Sequence, residues 1–124
     1  MVPKPAEAAV LIVEDDADLR YVYRTTLTVA GFAVREASDG YQALVAIDED
    51  PPDVVLLDLM LPRISGFTVL DELDARRDSR TPAVVVMTGL AGVERQDVTV
   101  LRKPVELPAV IAAIRAAIRR RSSH

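Results

Sequence analysis

Cysteine is missing from all 124 positions. Its absence excludes both a disulfide framework and a thiolate metal site, and it fits a cytoplasmic protein. Aromatic residues supply only 4% of the chain, so Val, Leu, Ile and Ala must fill any interior. Histidine occurs once, as His124. At the last position it reads as part of a disordered tail, because a phosphotransfer histidine needs a helical setting. Long apolar runs are lacking too, each being broken well short of the ~20 residues a membrane span needs. Residues 1–9 contain Pro3 and Pro5 and no apolar signal core, so no signal peptide is expected. The net charge of −4 provides no whole-chain field for nucleic acid. Neither nucleic acid nor a membrane is therefore an expected partner.

Half of the residues are hydrophobic, too many for a disordered chain. The length suits one domain over residues 1–124, with a core at about 9–119. Short apolar runs alternate with longer helical patterns. Residues 10–13, 32–37, 54–57, 83–87 and 98–101 read as strands. Between the first two, Leu19, Val22, Leu27 and Ala30 recur at helical spacing. Asp16 or Asp18 can cap that helix, and Gly31 sits where a left-handed end is wanted. Asp39 caps a second helix carrying Ala43, Leu44 and Ile47, stopped by Pro51-Pro52. After a loop marked by Pro62 and Gly66, Phe67, Leu70 and Leu73 give a third helix its stripe. The last helix shows the clearest face, with Leu107, Val110, Ile111, Ile114, Ala117 and Ile118. Residues 90–97 have room for one or two helical turns.

Strands that alternate with helices imply an α/β fold: a five-stranded parallel sheet, doubly wound, with helices on both faces. In such sheets the site lies beyond the carboxyl ends of the strands. Those ends present Glu14-Asp15-Asp16, Asp58, Thr88-Gly89 and Lys103-Pro104. Crowded carboxylates repel one another unless a cation sits among them. With oxygen ligands only, that cation is magnesium or manganese. A lysine and a hydroxyl beside it suit a phosphoryl group, and a carboxylate can attack phosphorus to form an acyl phosphate. Asp58 stands alone at the end of a central strand and is the natural nucleophile.

These residues resemble the receiver domains of bacterial two-component response regulators. The matching pieces are Leu11-Ile12-Val13-Glu14-Asp15-Asp16, then residues 54–62 with Asp58 at their centre, then Ser65-Gly66, Met87-Thr88-Gly89 and Lys103-Pro104. The resemblance implies a flavodoxin-like fold and a phosphorylation switch rather than an enzyme. It implies Asp58 as phosphoacceptor, with Thr88 and Lys103 contacting the phosphoryl group. It implies Mg2+ held by Asp15, Glu14, Asp58 and the backbone carbonyl of Met60, with Glu14 acting through water. The Lys103–Pro104 bond would be cis, and a sensor histidine kinase or histidine phosphotransfer protein would be the partner.

Two features depart from that family's pattern. The stretch from Thr88 to Lys103 is shorter than usual by about two helical turns, which implies a short or irregular fourth helix. The position three before the lysine, normally aromatic, is Val100, so the usual threonine–aromatic switch cannot operate. A haloacid-dehalogenase-type phosphohydrolase would need a second Asp two residues after the nucleophile, where Met60 stands. A phosphorylation-independent pseudo-receiver would have lost an acid, the acceptor or the lysine, and all are present. Asp16 is as good a helix cap as a metal ligand. Arg115, Arg119, Arg120 and Arg121 read as offsets to the last helix's dipole.

Overall fold

The computed structural model describes residues 6–95 and 97–122; His124 lies outside them. The element order is β1 (Ala9–Val13), α1 (Ala17–Val29), β2 (Ala33–Ala37), α2 (Gly40–Glu49), β3 (Val54–Asp58), α3 (Gly66–Arg76), β4 (Ala83–Thr88), β5 (Thr99–Arg102) and α4 (Leu107–Ser122). All strand pairs are parallel, in the order β2-β1-β3-β4-β5. This is the doubly wound, flavodoxin-like arrangement. Its order reverses between β1 and β3, and the crevice at such a reversal is where ligands bind.

Alternation along the strands feeds two cores. Val10, Ile12, Leu56, Val85 and Met87 face α1 and α4, where Tyr23, Leu27, Val110 and Ile114 cover them. Leu11, Val13, Val55, Leu57 and Val86 face α2 and α3, against Ile47, Val69, Leu70 and Leu73. Every residue of β3 is buried, as expected for a central strand covered on both sides. Each of its leucines contributes about 1.5–3 kcal/mol by leaving water.

The helix starts follow local chemistry. Asp16 accepts from the amides of Asp18 and Leu19 at 2.9 and 3.1 Å, so it is the cap and Asp18 is not. Asp39 accepts from Gln42 and Ser65 from Thr68. Gly31 takes φ +108° after α1, a conformation glycine adopts without strain.

Three expectations need correction. Val22 is exposed, and Tyr23 is buried in its place. Tyr23 stands four residues from both Leu19 and Leu27, whereas Val22 is three from Leu19 but five from Leu27, so the helical period itself favours Tyr23. In α3, Phe67 stays partly exposed while Val69 joins the core. Among the described residues 89–98 forms no helix, only turns. A packed layer stands about 10 Å from a sheet. Climbing to it and returning uses roughly six extended residues, too many for so short a connection, and Gly92 at φ +74° interrupts it further. The outer part of the α2/α3 face therefore has no helix over it. Val93, Val98 and Val100 line a groove of about 420 Å³ there with Leu90 and Arg102.

The basic end of α4 does more than balance a dipole. Arg115 pairs with Glu7, and Arg121 with Asp53. None of the described helices is long and apolar enough to cross a membrane.

Candidate active site at the carboxyl edge of the sheet

β1 ends into Glu14 and Asp15, and β3 ends at Asp58, on either side of the point where the strand order reverses. One carboxylate oxygen from each of these three residues lies within 4.8 Å of the other two. Glu14 is 1% exposed and Asp58 4%, while Asp15 stands in solvent. Asp16 stays apart as the cap of α1. Arg20 fixes the acid turn from above, donating to the Glu14 carbonyl at 2.9 Å. The sequence carried no sign of that contact beyond a basic residue one turn into the helix.

Lys103 enters from the strand on the far side of β4. Its Nζ donates to Glu14 Oε1 at 2.7 Å and to Asp58 Oδ2 at 3.1 Å. The Lys103–Pro104 peptide is cis, as expected, and the Lys103 amide donates to the Thr88 carbonyl at 2.8 Å. Asp58 Oδ1 accepts from the Met60 amide at 3.0 Å, so Met60 already touches the acceptor through its backbone. Thr88 is fully buried at the neighbouring strand end, and its Oγ1 accepts from the Leu90 amide at 3.0 Å. That leaves its own O–H free to donate. Gly66 is a backbone requirement: a Cβ there would lie 2.3 Å from the Asp58 carbonyl oxygen.

The electrostatics follow from crowding in a dry place. Burial pushes the Glu14 carboxyl up to about 7, and its repulsion with Asp58 adds to this, against the opposing pull of Lys103. Burial alone would lower Lys103, but its hydrogen bonds to Glu14 and Asp58 outweigh that and raise it. One ammonium thus serves two acids, with Asp15 beside them, so there is negative charge for a cation to neutralise. The donors are all carboxylate oxygens, which fits a hard divalent ion such as magnesium.

A model of the response regulator receiver domain matches residues 10–115. The chain belongs to this receiver domain family. Curated relatives agree. The probable transcriptional regulator ycf27 of Guillardia theta is 37% identical, the match covering 90% of this chain and 45% of the relative. The DNA-binding dual master transcriptional regulator RpaA of Synechocystis is 34% identical, over 90% and 49%. This receiver domain spans about half the length of such relatives. Among solved structures, a response regulator receiver domain protein from Clostridium thermocellum superposes with a TM-score of 0.83. It is 27% identical over 93% of this chain and 97% of that one. The chain is thus the receiver part of the two-component signalling machinery, whose domains take up phosphoryl groups.

Proposed function

We propose that Asp58 is the phosphoacceptor, and that phosphorylation switches the surface this domain offers to its partners. The observation that carries this is Lys103 Nζ bridging Glu14 and Asp58 within one carboxylate cluster. The donor is a sensor histidine kinase or a histidine phosphotransfer protein. A carboxylate oxygen of Asp58 bonds to phosphorus as the donor's P–N bond breaks and its imidazole departs. Lys103 pairs with the transferred phosphoryl oxygens, and the Thr88 hydroxyl donates to them. Glu14, Asp15, Asp58 and the Met60 carbonyl would hold Mg2+, with Glu14 acting through water. When bound, the ion neutralises charge on the acids and the incoming phosphoryl group. The domain acts as a switch rather than an enzyme, as one unit with its core at about residues 9–119, in the cytoplasm.

The test uses acetyl phosphate with magnesium. One phosphoryl group should add to the parent protein, detected as a single mass increment mapped to Asp58. Asp58→Asn should take none, and Asp15→Asn should abolish the spectral response to magnesium. Equal labelling of Asp58→Asn would remove the assignment. Lys103→Ala should keep the fold and weaken the conformational response.

A further inference from the structure

Two consecutive acids cannot both face one ion from a regular strand, because successive side chains point to opposite sides. Yet an oxygen of Glu14 and one of Asp15 lie within 4.8 Å of each other and of one from Asp58. The chain achieves this by leaving the sheet. The paired register of β1 ends at Val13, and the backbone bends at Asp15. Carbonyls that turn out of a ladder need other donors, and here one residue supplies them. The Arg20 guanidinium donates to the Glu14 carbonyl at 2.9 Å and to the Asp15 carbonyl at 3.5 Å. The Arg20 amide donates to the Asp16 carbonyl at 2.9 Å. All three carbonyls of the acid turn thus accept from Arg20.

This clamp is itself held. Arg20 Nε donates to Glu36 Oε1 at 3.3 Å, and Arg24, one helical turn on, pairs with the other oxygen of that carboxylate. Glu36 stands in β2, in register with Ile12 of β1, so the arginine is anchored to the sheet as well as to α1. Its side chain is only 21% exposed, unlike the freely solvated arginines whose pairs are worth little. A bare guanidinium behind the acids would also repel an incoming divalent ion. Glu36 offsets that charge and leaves the hydrogen bonds in place. Starting the helix does not require a guanidinium on the carbonyls, because the Arg20 amide alone closes the first turn on Asp16.

We propose that Arg20, held by Glu36, is a positioning residue for magnesium binding: by gripping the carbonyls of Glu14 and Asp15 it keeps both carboxylates turned toward Asp58. This rests on the reading of Glu14, Asp15 and Asp58 as the acids that hold the metal. The test is a magnesium titration of the metal-free 124-residue chain, followed by amide NMR shifts around Asp15 and Asp58. Arg20→Ala should raise the Kd for magnesium about tenfold or more, the usual loss when a group that orients metal ligands is removed. At saturating magnesium its labelling by acetyl phosphate should return to within about twofold of the parent rate, since no reacting group is gone. Arg20→Lys keeps the charge but lacks the fork that spans the carbonyls and Glu36, so it should recover only part of the affinity. It becomes the deciding variant if Arg20→Ala does not fold. Glu36→Gln should weaken magnesium binding in the parent, but by less than about twofold once Arg20 is Ala. Parent-like magnesium affinity in the deciding variant, whatever its Tm, would assign Arg20 to packing α1 on the sheet and overturn the proposal. So would a labelling defect that saturating magnesium does not relieve. Failure of the underlying reading looks different, because Asp15→Asn run in parallel would then bind magnesium as the parent does.

Discussion

Over β1 and β3 the carboxyl edge of the sheet is packed to contact; beyond β4 it is open. In the packed half, Glu14 and Asp58 are buried and tied together by Lys103. The loop after β3 presses on its neighbours so closely that a Cβ on Gly40 would lie 1.9 Å from the Ile64 carbonyl oxygen. In the open half, a Cβ on Gly89 would meet nothing within 4 Å. Leu90 is exposed there, and Val93, Val98 and Val100 are only partly covered. Thr88 stands at the border, buried itself but bonded to the amide of Leu90 in the open segment. Chemistry needs fixed distances, and switching needs backbone whose rearrangement costs little. Here a packed half and an open half share one edge, and Thr88 touches both, its carbonyl accepting from the Lys103 amide and its hydroxyl oxygen from the Leu90 amide.

The largest expected effect tests that difference directly. Gly66→Ala forces backbone apart beside Asp58 and should cost about 3 kcal/mol or more in urea unfolding. Gly89→Ala should change stability by less than ~0.5 kcal/mol, since its site is open and its φ is not in the left-handed region. Similar costs for both would erase the comparison.

Next in size is a pH effect confined to the packed half. The folded Glu14 carboxyl holds its proton up to about 7, against an ordinary value of 4.5. The fold therefore binds this proton more tightly than the unfolded chain does. The stability it contributes is complete below pH 4.5 and is lost as pH rises through about 7. Metal-free protein should lose on the order of 3 kcal/mol relative to Glu14→Gln between pH 4.5 and 8. Magnesium should restore the difference at pH 8, because the metal needs the carboxylate form. A Glu14→Gln curve parallel to the parent's would show that this acid is not strained.

Hydrogen exchange sharpens the other side. Amides of residues 89–95 should exchange at least ~100-fold faster than those of β3 and gain protection on phosphorylation, while α4 changes little. If α4 responds and 89–95 does not, the signal leaves by another route. The smallest effect concerns Val100, which pairs in register with Val86 and shares a sheet face with Thr88. Val100→Tyr should move stability by less than ~1 kcal/mol, because the groove can take the ring. It should leave the exchange response of 89–95 in place. Loss of that response would mean the missing ring, not the missing helix, sets the behaviour.

Much of this was legible in the chain. Apolar runs of strand length ending in Glu14, Asp58 and Thr88, with Lys103 after the last, are enough to dictate a parallel sheet and a site at one edge. The reason is that strands buried on both faces need helices between them. The cap Asp39 was readable and the first cap was narrowed to Asp16 or Asp18, because a cap is a local contact; the structure chose Asp16. The sequence offered both Val22 and Tyr23 after Leu19, but only Tyr23 also stands four residues before Leu27, in keeping with its place in the core under α4. It could not show Arg115 reaching back to Glu7, 108 positions away, or Arg20 holding the Glu14 carbonyl. It left room for a helix at 90–97, where the distance to be spanned leaves no length for one. Composition and period decided which residues are buried and on which edge the reactive groups gather. Only the tertiary structure decided how dry Glu14 is, which acids share Lys103, and which half of the edge stays open. Desolvation and proximity arise when segments distant in sequence meet, and no local pattern encodes them.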